Sequence, residues 1–120
     1  SLGAEESFAN DLSDRHSFLT AIEEIAATLK RRVEKSETSG RTLTLKVKYG
    51  DYQQVTRSRT FAESIDVQDF RPVIKIAMEL LDTTEVFVKN ARLLGLSLSN
   101  LDCERESEDA NYVQLTLELK

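Results

Sequence analysis

The chain has 120 residues, 40% apolar and 31% charged, which is the size and balance of one globular domain and too little for two separate cores. Its single cysteine, Cys103, excludes an internal disulfide, and with the single histidine, His16, leaves too few soft ligands for a structural zinc site. The net charge of -5 argues against nucleic acid as a partner only until it is resolved along the chain: five basic residues face one acid over positions 41–60, and two face six over 102–120.

No apolar run approaches the roughly 20 residues that span a bilayer. The opening SLGAEESF lacks the basic start and apolar stretch of a secretion signal, so no membrane contact and a cytoplasmic location are expected. Residues 1–8 read as a short strand or a lead-in. Ser13 and Asp14 are good helix caps, and Phe18, Ile22, Ile25, Leu29 and Val33 then recur at spacings of four, three, four and four, which predicts an amphipathic helix. It should end in the polar stretch 35–40, where Gly40 can accept a left-handed backbone.

Leu43, Leu45, Val47 and Tyr49 alternate with Thr42, Thr44, Lys46 and Lys48, the period that buries one face of a strand and wets the other. Gly50 and Asp51 supply a turn, so residues 41–61 read as an antiparallel hairpin. In its second strand Val55 shares parity with Arg57 and Arg59, so that either Val55 is exposed or a bulge shifts the pattern. A second helix is predicted with Asp66 as cap and Val67, Phe70, Ile74, Ala77 and Leu81 on one stripe, flanked by Val73, Ile76 and Leu80. Pro72 fits only if the regular helix begins near Asp69; otherwise it kinks the first turn.

Residues 92–101 form a further half-buried strand, with Leu94, Leu96 and Leu98 on one face and Gly95, Ser97 and Ser99 on the other. An acidic linker, 102–111, leads to a tail, 112–120, in which Val113, Leu115, Leu117 and Leu119 alternate. The order strand, helix, strand, strand, helix, strand predicts an α+β fold: a four-stranded, mainly antiparallel sheet with two helices packed on one face, plus an extended tail. The other face, left in solvent, is the expected working surface.

Catalysis needs a nucleophile with its base, paired carboxylates or a metal cluster, and none is legible. His16 falls in the first turn of a helix, Glu5-Glu6 and Glu23-Glu24 are sequence neighbours that point apart into solvent, and Cys103 sits among acids that raise its pKa. The basic hairpin is more informative. Lys46 and Lys48 fall on the wet side of their strand, Arg57, Ser58 and Arg59 stand on the adjoining one, and Ser97, Ser99 and Gly95 on the next. Cations, short hydroxyls and approachable amides on one flat surface suit phosphate oxygens and carry no base readout. An ordinary charged face with cross-strand ion pairs is the bland alternative. A base-reading sheet would instead carry outward aromatics, absent from TRSR at 56–59.

The chain resembles the C-terminal little-finger domain of Y-family, translesion DNA polymerases, most closely the bacterial DNA polymerase IV type. The resemblance rests on SLGAEESF (1–8), GRTLTLKVKY (40–49), TRSRTF (56–61) and RLLGLSLSNL (92–101), in that order and spacing over residues 1–101. It implies a domain that grips primer-template DNA in the major groove through both backbones, with Lys46, Lys48, Arg57, Ser58, Arg59, Ser97 and Ser99 as contacts. It further implies a parent chain whose palm, fingers and thumb hold the catalytic carboxylates and use magnesium, with no cofactor in this part. QLTLEL at 114–119 resembles the sliding-clamp-binding motif of bacterial polymerases, in which Gln114 would bond at a groove rim while Leu115, Leu117 and Leu119 fill it. The competing expectations are an edge strand for the tail, and for the whole a ferredoxin-like module whose sheet face binds a protein.

Overall fold

The computed structural model describes residues 2–37 and 39–101. It contains β1 (Leu2–Leu12), α1 (Arg15–Ser36), β2 (Gly40–Tyr49), β3 (Gln54–Thr60), α2 (Arg71–Leu81), α3 (Val86–Lys89) and β4 (Ala91–Leu101). The strands form one antiparallel sheet in the order β1-β4-β2-β3. Two split β-α-β units therefore interlock: β4 lies between β1 and β2, and β2 lies between β3 and β4. The expected α+β architecture is present, with α1 over β1 and β4, and α2 over β2 and β3. The tail of 102–120, including the linker and Gln114, Leu115, Leu117 and Leu119, lies outside the described residues.

α1 starts where its cap says it should. The Asp14 carboxylate accepts the Ser17 backbone N–H at 3.0 Å and the Ser17 hydroxyl at 2.8 Å. It ends inside the expected stretch, at Ser36, but Glu37 rather than Gly40 takes the left-handed position: at φ 58° it donates its N–H to Val33 and Glu34, while Gly40 already begins β2. A chain that must turn straight into a buried central strand leaves the helix early. The buried stripe Phe18, Ile22, Ile25, Leu29 and Val33 is the predicted one.

α2 begins at Arg71, which puts Pro72 in the first turn, where a missing N–H costs nothing. Val67 and Asp66 are thus outside the helix. The Asp66 carboxylate accepts the Gln68 N–H in a turn, and Asp69 rather than Asp66 serves the start of α2. Asp69 receives Nε and Nη2 of Arg71 at 2.9 Å and its N–H at 3.1 Å, and these bonds hold its carboxyl at about 2. A carboxylate depressed in the fold contributes fully above its unfolded value near 3.9 and ceases to do so as pH falls toward 2. Carbon-detected NMR titration should place the Asp69 midpoint at about 2, and Arg71→Ala should return it toward the ordinary range. An unmoved midpoint in the variant would show that the bidentate contact does not persist in solution.

The core lies between the helices and one side of the sheet. Leu43, Leu45 and Val47 of β2 and Leu94, Leu96 and Leu98 of β4 meet Phe18, Ile22 and Leu29 of α1 and Val73, Ala77 and Leu81 of α2, and all are essentially inaccessible. Tyr49 is buried too, and its hydroxyl accepts the Glu85 N–H at 3.0 Å, which fixes the start of α3, an element without a sequence signal.

Candidate nucleic-acid interface

Directly opposite residues of an antiparallel pair share a face, so the register writes out the open side of the sheet row by row. Thr60, Thr42 and Ser99 form one row across β3, β2 and β4. Ser58, Thr44, Ser97 and Gly3 form the next, then Thr56, Lys46, Gly95 and Glu5, and last Gln54, Lys48, Leu93 and Ser7. Across these four rows the face is a lattice of short hydroxyls carrying Lys46, Lys48, Glu5, Gln54 and one large apolar side chain, Leu93. The hydroxyls are set by cross-strand bonds: Thr42 Oγ1 to Thr60 Oγ1 at 2.9 Å, and Thr44 Oγ1 to Ser58 Oγ at 2.9 Å.

Of the seven residues expected on this surface, Lys46, Lys48, Ser58, Ser97 and Ser99 are on it. Arg57 and Arg59 are not. Arg57 stands opposite Leu45, Arg59 opposite Leu43 and Val55 opposite Val47, so all three point to the helix side, with no bulge in the pairing of β2 and β3. Both ways of reconciling Val55 with exposed arginines are thereby corrected, since parity holds and the whole set lies on the other face. The physical reason is that β3 is an edge strand beside α2, where acceptors are available. Arg59 Nη1 pairs with Glu79 at 3.0 Å, and Arg57 Nε donates to Thr83 Oγ1 at 3.1 Å. The Arg59 side chain remains 43% exposed, so it flanks the sheet edge rather than disappearing into the core.

The lysines differ from each other. Lys48 has no ion-pair partner among the described residues, whereas Lys46 Nζ lies 2.6 Å from Glu5 Oε1. Glu5 was expected to be merely solvated; its available signal was a place in a strand whose alternation sets it opposite to Glu6. Arg32 of α1 donates to the Gly3 carbonyl and so covers part of the free edge of β1. The open depression bounded by Gly3, Glu5, Thr44, Lys46, Gly95 and Ser97 has a volume of about 450 Å³. Among the described residues no group of three or more His, Cys, Asp or Glu side chains is placed to hold a metal. No helix among them is long and apolar enough to cross a membrane.

Over residues 1–117 the sequence matches the family described as impB/mucB/samB family C-terminal domain. It is 38% identical over 119 residues to DNA polymerase IV 2 of Agrobacterium fabrum, covering 99% of this chain and 33% of the relative. It is 33% identical over 118 residues to DNA polymerase IV of Bacteroides fragilis, covering 98% and 32%. The chain therefore spans about a third of the length of these curated relatives. Among solved structures, it resembles the little finger domain of PolIV in a complex with the beta-clamp processivity factor, with TM-score 0.69, 24% identity and coverage of 84% of this chain and 88% of that one. It also resembles part of Dbh DNA polymerase in a post-insertion binary complex, with TM-score 0.67, 18% identity and coverage of 82% and 28%. The structural likeness establishes a shared fold.

Proposed function

Since this chain belongs to the impB/mucB/samB family of C-terminal domains, the little-finger part of Y-family polymerases, we propose that its open sheet face seats primer-template duplex DNA for a translesion polymerase. The observation that carries this reading is the register itself, which collects Lys46, Lys48, Thr42, Thr44, Thr56, Ser58, Ser97 and Ser99 on one helix-free surface. Hydroxyls and ammonium groups match phosphate and sugar oxygens, and a face without aromatic side chains offers no platform for unstacked bases. The contact is thus to backbone and tolerant of sequence, and the resemblance to the little finger supports a path along the major groove. Arg57 and Arg59 flank it at the β3 edge, adding field rather than a seat on the face. The alternative, a sheet face that docks a protein, has little support, because in the four central rows Leu93 alone would supply the apolar centre such an interface needs.

Polymerisation and its magnesium belong, in this reading, to the palm, fingers and thumb of a parent chain, in the bacterial cytoplasm where the chromosome is copied. This domain does no chemistry; it holds the product duplex in place, and the net charge of -5 keeps it from binding DNA strongly by itself. Titration of labelled duplex by the 120-residue chain at several salt concentrations tests the proposal. One to two lysine contacts predict a slope of log affinity on log salt between roughly -1 and -2, and unrelated base sequences should bind alike. A strong base preference with a flat salt response would overturn it.

The tail completes the proposal: Gln114, Leu115, Leu117 and Leu119 recruit the bacterial sliding clamp, a reading supported by the motif and by the clamp complex of the structural relative. In a clamp pull-down, Gln114→Ala with Leu117→Ala should lower retention by roughly tenfold or more, since a short peptide concentrates its affinity in few anchors. Equal retention would remove the clamp from the proposal.

A further inference from the structure

Gly95 lies in the interior of β4, where glycine weakens a strand and where a close approach from a neighbour is the usual reason for it. The neighbour here is Glu5. Glu5 of β1 and Lys46 of β2 both stand opposite Gly95, so their backbones are two strand spacings, roughly 10 Å, apart. Two long side chains bridge that distance by leaning toward each other over the strand between them, and a glycine there leaves the path open. A Cβ on Gly95 would stand 3.1 Å from the Glu5 Cβ, a tight approach, so the glycine gives the glutamate room to lean over β4, where it reaches Lys46 at 2.6 Å.

We propose that this carboxylate occupies the phosphate seat of Lys46, so that Glu5 is a built-in competitor that duplex DNA must displace before Lys46 can bind it. The inference rests on the reading of the sheet as a duplex seat and adds a residue that sets its affinity. A carboxylate and a phosphate present the same chemistry to an ammonium group, namely anionic oxygens at hydrogen-bond distance. Around the pair, Thr44 and Ser97 offer hydroxyls in the same depression, and the other nearby cation, Arg32, is turned to the Gly3 carbonyl. Lys48, two residues along the same strand face, has no such competitor among the described residues. The face thus meets DNA with one lysine open and one occupied. Its full grip is reached only by a ligand that brings phosphate to both.

The test is salt-dependent binding of labelled duplex to the 120-residue chain as wild type, Glu5→Gln, Lys46→Ala and the double variant. Glu23→Gln, an exposed residue on α1, serves as the control for net charge. Glu5→Gln should tighten binding by roughly fivefold at 0.1 M salt and steepen the log-log slope by up to about 0.9, the value of one phosphate contact. Glu23→Gln should change affinity by less than about twofold, because exposed charges beyond a Debye length are screened. In the Lys46→Ala background, Glu5→Gln should do no more than the control. Equal effects of Glu5→Gln and Glu23→Gln, or an undiminished gain without Lys46, would overturn the inference while leaving the duplex seat standing. If neither wild type nor Glu5→Gln binds duplex at low salt, the seat itself is wrong and the inference falls with it.

Discussion

Replacing Lys46 and Lys48 together by alanine should weaken duplex binding by roughly tenfold at 0.1 M salt, since one full phosphate contact is worth about 0.9 log units relative to 1 M and Lys46 supplies only part of a second. The slope of log affinity on log salt should become shallower by about 1. The two sites contribute unequally: Lys48→Ala should account for most of the loss, because Lys46 starts from an ion pair with Glu5 and gains only the difference between carboxylate and phosphate. Fold stability is nearly indifferent to these changes. Both side chains are on the helix-free face, and a part-exposed pair such as Lys46 with Glu5 is worth about 0–1 kcal/mol. A loss of binding with an unchanged unfolding midpoint is therefore the expected signature. Affinity and slope that survive the double substitution would dismiss the open face as the seat, and a larger loss from Arg57→Ala with Arg59→Ala would place the grip at the β3 edge.

The opposite signature is expected from Phe18→Ala. Phe18 is fully buried in α1 and meets Phe87 of α3 edge to face, with centroids 5.3 Å apart and planes at 83°. Truncating such a ring costs about 3–5 kcal/mol through lost transfer energy and the cavity left behind. The aromatic contact adds about 0.5–1.5 kcal/mol. Against a total stability of about 5–15 kcal/mol, this removes roughly a quarter or more of what holds the domain together. Urea unfolding should show a lower midpoint with an unchanged slope. An unfolding free energy within about 1 kcal/mol of wild type would contradict the packing of α1 against α3. The pair of predictions separates the two sides of the sheet: one carries binding at little cost in stability, the other carries stability.

Local periodicity in the sequence was enough to determine α1, β2 and β4 and their buried stripes. Phe18 to Val33 repeats at helical spacing, and Leu43 to Tyr49 and Leu94 to Leu98 alternate with period two, because one face of each element must leave water. That also sufficed to put Lys46, Lys48, Ser97 and Ser99 on the wet side, opposite leucines whose burial is not negotiable. Parity also tied Val55, Arg57 and Arg59 into one set. Which side that set took was decided by tertiary structure alone. On an edge strand that mixes one valine with two arginines, burial exerts a weak pull, and the outcome depended on Val47 as a neighbour for Val55 and on Glu79 and Thr83 as partners for the guanidinium groups, residues some 20 or more positions away. The strand order β1-β4-β2-β3 is nonlocal in the same sense. It alone brings Glu5 across Gly95 to Lys46, a contact between residues 41 positions apart, which no period along the chain can encode.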